Sequence, residues 1–276
     1  MKKLVFIVSL SILCGPIWAQ ITRIQHFNAH SGDKAAQTLF TLFNQTFGLP
    51  VLYDYQSFGS FSSGGLWLGN ITFEFVGHQD GDNLKAIFKG VALEPKQHTE
   101  AIVKMLDEKQ IVHDAPDVAM MNVNGGQVPF YTVIGLKDLS AEGKRIFVCD
   151  YANRVFINTF SIKADSLLKA NKGGPLGVIG LKKIIIGTTD KAKEVVVWGN
   201  VPGVIRKNDH FFSFSEGPDI LIEPAGTDCV KEIVVKVKSL EQAMAFLEQR
   251  QCLKREGAKL LIDPEKLHGL RVILEN

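Results

Sequence analysis

The sequence has 276 residues, and its 31 lysine and arginine residues nearly balance its 29 aspartate and glutamate residues, with a formal net charge of +2 at pH 7. A chain with so small a net charge lacks the basic surface that nucleic-acid-binding proteins use, which excludes nucleic acid as a predicted partner. The length suffices for one large or two modest domains, each with its own hydrophobic core. We therefore expect partners among small molecules and proteins.

The first residues, 1–19, have the pattern of a secretory signal peptide. Lys2 and Lys3 precede an apolar run over 4–12, and Ala19 closes the segment. The run is shorter than the roughly 20 apolar residues that cross a bilayer. We expect cleavage after Ala19 and a periplasmic or secreted protein without a stable membrane anchor. An uncleaved anchor is the second alternative, and a lipid anchor at Cys14 is disfavoured because a bulky leucine precedes it.

The predicted mature chain has no net charge and three cysteines. Removal of residues 1–19 takes away two lysines and no acidic residue, which leaves 29 residues of each sign. The remaining cysteines are Cys149, Cys229 and Cys252. An odd number permits at most one intrachain disulfide, and the spacing matches no zinc motif. We expect them to pack in the interior, with a disulfide between Cys229 and Cys252 as the alternative.

Residues 21–77 have the pattern of a strand, an amphipathic helix and three more strands. The helix follows a predicted cap at Ser31 and carries apolar residues at helical spacing, namely Ala36, Leu39, Phe40, Phe43 and Phe47. The first strand bears His26, and the last bears Glu74 between Phe73 and Phe75. Because apolar faces of both strands must pack on the helix, we expect His26 and Glu74 to point away from it together.

This order of elements recurs in three further units, at 84–151, 177–225 and 228–276. Three units keep seven residues between the first strand and the helix start, from His26 to Asp33, Lys183 to Asp190 and Glu232 to Ser239. Three final strands close on glutamate, namely Glu74, Glu223 and Glu275. We predict a first domain over 20–165, a linker over 166–176 after a short helix at 164–171, and a second domain over 177–276. The insert at 114–129 is predicted to be a loop over a pocket.

This pattern resembles the vicinal oxygen chelate superfamily, which includes glyoxalases, bleomycin-resistance proteins and extradiol dioxygenases. The resemblance rests on the fourfold unit, the His26 strand, the segment from Gly64 to Glu74 and the C-terminal segment 261–275. It implies an α+β fold with four βαβββ units, paired into two glyoxalase-like domains with curved mixed sheets. It also implies a divalent metal inside a cup-shaped sheet, with ligands from the first and last strand of each unit.

For the first domain, the resemblance implies His26, Glu74 and Asp150 as metal ligands. One histidine and two carboxylates with open positions suit Fe(II), Mn(II) or Zn(II), and Ni is a further alternative. The last strand of the second unit offers either Asp150 or Cys149 to the cup, depending on its register. Asp150 in register completes the site, whereas Cys149 in register leaves the metal doubtful.

The remaining ligand positions depart from the family pattern. The first strand of the second unit offers Phe88 or Lys89 where a ligand would stand. In the second domain these positions hold charged residues that we interpret as ion pairs, namely Lys183, Glu223, Glu232 and Glu275. The second domain is therefore expected to stabilise the protein or form a homodimer rather than catalyse. The resemblance implies that an extradiol dioxygenase would hold its metal in the second domain. The absence of those ligands here argues against that activity.

Two functions follow from these patterns. One is a metal-dependent lyase, isomerase or oxygenase acting on a small oxygenated molecule, with Glu74 as metal ligand, base or both. The other is a metal-free exported protein that binds a small molecule or serves a structural role. In either case we expect aromatic residues to line the substrate pocket, namely Tyr53, Tyr55, Phe58, Phe61 and Trp67. His30 is expected at the surface, too far from His26 to share an ion.

Overall fold

The computed structural model describes residues 20–79 and 85–276, so the predicted signal peptide lies outside the described residues. The first unit consists of β1 (Ile21–Gly32), α1 (Asp33–Thr41), β2 (Val51–Ser57), β3 (Phe61–Trp67) and β4 (Thr72–His78). A π-helical turn, Leu42–Thr46, extends α1, and the chain leaves it through Gly48 at a φ of 75°, a conformation suited to glycine. Gly32 occupies the N-cap position without a side-chain cap, so the predicted cap at Ser31 is wrong.

The second unit consists of β5 (Ile87–Pro95), α2 (Thr99–Glu108), β6 (Asp117–Val123), β7 (Gly126–Gly135) and β8 (Arg145–Tyr151). The predicted loop at 114–129 is instead largely a hairpin, because β6 and β7 pair with each other along their length. Its methionines are exposed, Met120 by 51% and Met121 by 39%. The hairpin therefore projects from the sheet.

A helix, α3 (Arg154–Ala170), follows the second unit. It begins ten residues before the short helix predicted at 164–171. The side chain of Asn153 caps it by accepting a hydrogen bond from the backbone N–H of Phe156 at 3.0 Å. Ala164 and Leu168 bury the inner face of α3 in the core.

The third unit consists of β9 (Val178–Thr188), α4 (Lys191–Asn200), β10 (Ile205–Asn208), β11 (Phe211–Ser213) and β12 (Asp219–Pro224). The fourth consists of β13 (Cys229–Val237), α5 (Leu240–Gln249), β14 (Leu253–Glu256), β15 (Lys259–Ile262) and β16 (Val272–Glu275). The predicted cap of α5 is confirmed, since Ser239 Oγ accepts from the backbone N–H of Gln242 at 3.2 Å.

The sixteen described strands form one mixed sheet. The first half runs β2-β3-β4-β1-β5-β8-β7-β6, and the second runs β10-β11-β12-β9-β13-β16-β15-β14. In every unit the first and last strands are parallel neighbours, while the first strands of paired units are antiparallel. The predicted α+β class built from βαβββ units is confirmed. Among the described strands, β5 and β13 join the halves at the pair Phe88 and Val230, and isolated bridges join Arg23 to Glu216 and Gly143 to Cys229.

The helices cover one face of the sheet, where aromatic side chains form the core of the first half. Phe27 of β1 stacks on Phe73 of β4 with ring centres 4.5 Å apart, and Phe43 meets Phe73 edge-on at 5.2 Å. Each of these rings contributes about 1.5–3 kcal/mol by leaving water. Because side chains alternate along a strand, the residues that alternate with these core residues on β1 and β4 face the opposite, concave side of the sheet.

Two features of the described residues bear on earlier expectations. Cys149, Cys229 and Cys252 are free thiols, so the alternative of a disulfide between Cys229 and Cys252 is not realised. Among the helices within 20–79 and 85–276, none has both the length and the apolar character that a bilayer crossing requires.

A buried ion pair links the two halves. Lys144, just before β8, donates from Nζ to Glu194 Oε1 of α4 at 2.6 Å, and both side chains are almost fully buried. The indole N–H of Trp198 donates to the same oxygen at 3.0 Å. Such a pair contributes little by its presence, but the loss of one partner leaves a buried charge without compensation.

We predict that Glu194→Ala destabilises the protein by about 3–5 kcal/mol, because it leaves the Lys144 ammonium buried and unpaired. Urea unfolding measures the change in the free energy of unfolding. The matched control is Glu248→Ala, since Glu248 pairs with Arg255 at 3.4 Å on an exposed surface and should change stability by less than about 1 kcal/mol. Equal effects of the two substitutions would contradict the prediction.

Candidate functional site

The concave face of the first half, called the cup from here on, brings two predicted residues together. It carries His26, Glu74, Ala92, Phe147 and Cys149 near its centre. His26 of β1 places Nε2 at 3.7 Å from Oε2 of Glu74 on the neighbouring strand β4. The two side chains keep 12% and 19% of their surface exposed, so a solute in the cup has access to the pair.

Two hydroxyl groups hold the Glu74 carboxylate in place. Its Oε1 accepts a hydrogen bond from the phenol of Tyr53 at 2.9 Å and another from Ser63 Oγ at 2.6 Å. Burial raises the pKa of the Tyr53 phenol well above its ordinary value, and the charge of Glu74 raises it further. Tyr53 therefore stays protonated and donates, which leaves Oε2 directed at His26.

The orientation of His26 follows from its other ring nitrogen. Nδ1 lies 2.9 Å from Oε1 of Gln25, an oxygen that only accepts, so Nδ1 carries the hydrogen. Burial lowers the pKa of His26, and the nearby Glu74 and Glu94 only partly oppose that effect. The neutral ring then presents the lone pair of Nε2 to the carboxylate. Two acceptors thus face one another without a donor between them.

The second unit supplies a thiol and aromatic rings to the cup. The Phe147 ring meets His26 edge-on, with ring centres 5.6 Å apart. Burial raises the pKa of the Cys149 thiol, and the charge of Glu74 raises it further. The phenol of Tyr151 is hydrogen-bonded to that thiol. Because its pKa is raised, Cys149 is a neutral thiol in this site.

The structure does not bring Asp150 to the cup, which corrects the predicted ligand set. Cys149 is the residue in register, and strand alternation turns Asp150 to the helix side. Its Oδ2 accepts from the backbone N–H of Thr99 at 2.9 Å, and Arg154 bonds Oδ1. A carboxylate is favourable at the start of a helix, here α2, which accounts for the register.

The counterpart of His26 in the second unit is Ala92, and neither Phe88 nor Lys89 stands there. The antiparallel pairing of β1 and β5 sets His26 directly opposite Ala92. The predicted position was wrong because β5 runs farther than expected, to Pro95. Ala92 also lies seven residues before Thr99, the first residue of α2, just as His26 lies seven residues before Asp33, the first residue of α1.

The donor set therefore does not fit the divalent metal that the family resemblance implies. Catalytic metal sites usually take three protein ligands and leave one position open. The described part of the chain contains no group of three or more His, Cys, Asp and Glu side chains placed to hold one ion. His26 and Glu74 supply two donors, and the remaining positions hold the methyl of Ala92 and the neutral thiol of Cys149.

The predicted aromatic residues divide between three places. Tyr53 reaches into the cup, where its hydroxyl donates to Glu74. Phe61 stacks on Phe58 at the edge of the cup, with ring centres 5.6 Å apart. Tyr55 lies on the helix side, where its hydroxyl donates to Asp33 Oδ1 at 2.8 Å. It therefore does not line the cup, contrary to the prediction.

Trp67 is also directed away from His26 and Glu74. Its indole N–H donates to Asp165 Oδ1 of α3 at 3.2 Å. Arg23 of β1 likewise donates to Asn158 Oδ1 of α3 at 3.2 Å. Helix α3 thus covers this end of the cup. Trp67 lines a separate groove of about 650 Å³ between α3 and β9.

Sequence reasoning missed several residues that shape the site, namely Gln25, Ser63, Ala92 and Tyr151. Ser63 lies on β3 opposite Val76, two residues from the Gly65–Glu74 pair. Alternation along β3 places Ser63 on the same face as Gly65 and Trp67, but nothing in the sequence shows that Ser63 contacts Glu74. Ala92 carries no chemical signal, although counting seven residues back from Thr99 would have found it.

The concave face of the second half carries several ion pairs, but among the described residues Lys183 pairs with Glu275 alone and not with both predicted carboxylates, since Glu223 pairs with Lys231. Glu275 accepts from Lys182 at 2.6 Å and from Lys183 at 3.4 Å. Glu223 pairs with Lys231, and the fully buried Glu232 pairs with two cations, Lys259 at 2.6 Å and Arg271 at 3.1 Å. An aliphatic cluster occupies the rest of this face, namely Ile185, Leu221, Val234, Leu261 and Ile273.

A histidine pair lies at the end of the cup opposite α3. His30 Nδ1 is 2.8 Å from Nε2 of His78 on the adjacent strand. Burial lowers the pKa of His30 to about 4, with further lowering by His78, Lys89 and Arg145. Glu74 acts in the opposite direction but does not outweigh them. His30 is neutral at pH 7 and has no contact with His26, in keeping with their separation along β1.

Comparison with known proteins gives a match in structure and none in sequence. No protein-family model matches the chain, and no curated protein sequence matches it. A hypothetical protein from Staphylococcus aureus has a TM-score of 0.61 at 11% identity, with 92% of this chain and 99% of that chain covered.

Two solved enzymes share the architecture. The Mn(II)-bound glyoxalase from Novosphingobium aromaticivorans has a TM-score of 0.56 at 12% identity, covering 93% of this chain and 82% of that chain. Homoprotocatechuate 2,3-dioxygenase from Brevibacterium fuscum, as its E323L mutant, has a TM-score of 0.56 at 11% identity and covers 95% and 73%. This chain has the vicinal oxygen chelate fold. At identities of 11–12%, the likeness shows a shared fold and does not extend to the activity of these enzymes.

We predict that Gly65→Ala displaces Tyr53 from Glu74, because a methyl group at position 65 would collide with the Tyr53 ring. The phenol pKa should then fall toward its ordinary value of 10.0, since burial and Glu74 hold it above that value. Absorbance titration of the four tyrosines follows the change. Gly199→Ala is the control, because no atom lies near that position. Coincident titrations of Gly65→Ala and the parent would contradict the prediction.

We predict that His30 makes the protein less stable as the pH falls from 6.5 toward 4. In that window unfolded His30 binds a proton at its ordinary pKa of 6.5, whereas folded His30, with a pKa of about 4, does not. The unfolded state therefore gains on the order of 3 kcal/mol from this residue.

The test compares urea unfolding of the parent and His30→Asn at about pH 7.5 and about pH 4.5. The parent should lose more stability on acidification than His30→Asn. His98→Asn is the control, since it removes an imidazole from a position where the side chain is 78% exposed. The same pH dependence in the parent and His30→Asn would show that His30 is not the group responsible.

Proposed function

We propose that this protein is an exported small-molecule-binding protein whose ligand occupies the cup of the first half, without a divalent metal. The observation that carries the proposal is the pair of facing acceptors, His26 Nε2 and Glu74 Oε2, 3.7 Å apart and accessible to solute. Such a pair is favourable when a hydrogen-bond donor or a cation reaches both atoms. A hydroxyl or amino group of a ligand meets that requirement.

The surrounding side chains support a binding site. Tyr53 and Ser63 hold Glu74 from one side, and the rings of Phe147 and Tyr151 provide an apolar wall. Ligand sites commonly combine apolar walls with a few oriented polar groups. Export is part of the proposal because of the signal-like pattern over 1–19.

A second candidate is a metal-dependent enzyme, favoured by the way Tyr53 and Ser63 orient Glu74. Carboxylates that bind metals are typically held by hydrogen bonds of this kind. A bound metal would act as a Lewis acid, and His26 and Glu74 would hold it. The described residues place no third charged or imidazole donor beside them, which ranks this candidate second.

Metal analysis of the mature protein, purified without chelator, separates the two candidates. We predict far less than one Fe, Mn, Zn or Ni ion per chain in the parent, and no further loss in His26→Ala or Glu74→Ala. The matched control is Glu275→Ala, since Glu275 ends the last strand of another unit but is held by Lys182 and Lys183.

A near-stoichiometric metal that disappears in His26→Ala and Glu74→Ala, but stays in Glu275→Ala, would overturn the metal-free proposal. It would establish the second candidate. Circular dichroism of each variant shows whether a lost metal reflects a lost fold. A thermal-shift screen of small hydroxylated compounds tests binding directly, since stabilisation should occur in the parent and disappear in both cup variants.

A further inference from the structure

The end of the cup opposite α3 carries two cations without acidic partners. Lys89 of β5 and Arg145 of β8 form no ion pair with any described aspartate or glutamate, although the other two arginines of this half, Arg23 and Arg154, do. Arg145 is exposed, and Lys89 is partly exposed. Unpaired cations that remain beside an accessible site are available to an anionic ligand.

The strand register directs Arg145 into the cup. Arg145 alternates with Phe147 and Cys149 on β8, and its guanidinium carbon lies 5.3 Å from the centre of the Phe147 ring. That ring in turn meets His26 edge-on at 5.6 Å. A continuous set of contacts therefore leads from Arg145 to the acceptor pair.

Lys89 lies beside Arg145 across neighbouring strands. β8 pairs Arg145 with Gly90, the residue after Lys89. An irregularity in the pairing of β1 with β5 leaves Lys89 without a partner on β1, between Gly90 opposite Asn28 and Phe88 opposite Ala29. Such a bulge frees a side chain from strict alternation.

The separation between the cations and the acceptor pair sets the size of the ligand. On β5, Arg145 pairs with Gly90 and His26 pairs with Ala92, so the two positions are offset by two residues along the strand. Two residues of extended strand cover about 7 Å, since each rises about 3.3 Å. One aromatic ring with polar groups at opposite positions spans that distance, and the Phe147 ring lies between the two levels.

We propose that the cup binds a small hydroxy acid, its carboxylate paired with Arg145 and Lys89 and its hydroxyl donating to Glu74 and His26. This inference rests on the proposed binding function and names the ligand class. Arginine and carboxylate match in geometry and form strong charge-assisted hydrogen bonds. The acceptor pair takes up the donor at the other end of the ligand.

Three probes test the two ends separately by isothermal titration calorimetry. Para-hydroxybenzoate carries both groups, para-hydroxybenzamide keeps the hydroxyl without the charge, and benzoate keeps the charge without the hydroxyl. The parent should bind para-hydroxybenzoate most tightly, by about tenfold over either comparator. Its affinity should fall at high salt, because salt screens the charged end.

Substitutions assign each end to its residues. Arg145→Ala should weaken para-hydroxybenzoate about tenfold and leave para-hydroxybenzamide unchanged, whereas Arg145→Lys should restore part of the loss. Glu74→Gln should weaken both hydroxylated probes and spare benzoate. Arg255→Ala is the matched control, since Arg255 is 59% exposed in the second half and should alter no affinity.

The outcomes distinguish this inference from the binding function beneath it. Equal binding of para-hydroxybenzoate and para-hydroxybenzamide, dependent on Glu74 but not on Arg145, would overturn the hydroxy-acid inference and keep the binding function. A para-hydroxybenzoate affinity unchanged by both Arg145→Ala and Glu74→Gln would overturn it as well, because binding would lie outside the cup. Failure of all three probes to bind at millimolar concentration overturns the inference, while the thermal-shift screen still decides the binding function.

Discussion

The antiparallel pairing of β1 with β5 is the constraint on which the rest of the site depends. It sets His26 opposite Ala92 and fixes which side chains of the first two units enter the cup. A slip of one residue would move Phe27 from the core into the cup and His26 into the core. The stacking of Phe27 on Phe73 opposes that slip, so apolar burial on one face determines the chemistry on the other.

The two halves use the same architecture for different purposes. In the first half, a neutral histidine and a carboxylate face each other and leave a place for a donor. In the second half, lysine and arginine side chains already satisfy the corresponding carboxylates, and Glu232 is fully buried between two of them. Replacing a partner of Glu232 would weaken the compensation of a buried charge, so these ion pairs serve the stability of the second half.

The sequence contained enough to predict the fold and part of the site, and particular residues show where prediction stopped. The repeated strand–helix interval identified the units, and alternation around Glu74 and the His26 strand brought those two residues together. Cys149 and Asp150 are neighbours in one strand, so only the tertiary register decides which enters the cup. The start of α2 holds Asp150 by a backbone hydrogen bond, an attraction that no local pattern of β8 reveals. Tyr53 and Tyr55 share one face by simple alternation, but β2 pairs irregularly with β3 between them and separates them.

The distribution of charge in the cup favours a ligand with two unlike ends. A free divalent cation that enters past Lys89 and Arg145 meets like charge before it reaches Glu74, and finds only two strong donors there. A hydroxy acid meets opposite charge at the opening and acceptors at the centre, so both groups of the protein are satisfied in one orientation. Ala92, at the position opposite His26, supplies no metal donor. The geometry that makes a metal difficult to hold is thus the same geometry that makes an oriented organic anion favourable.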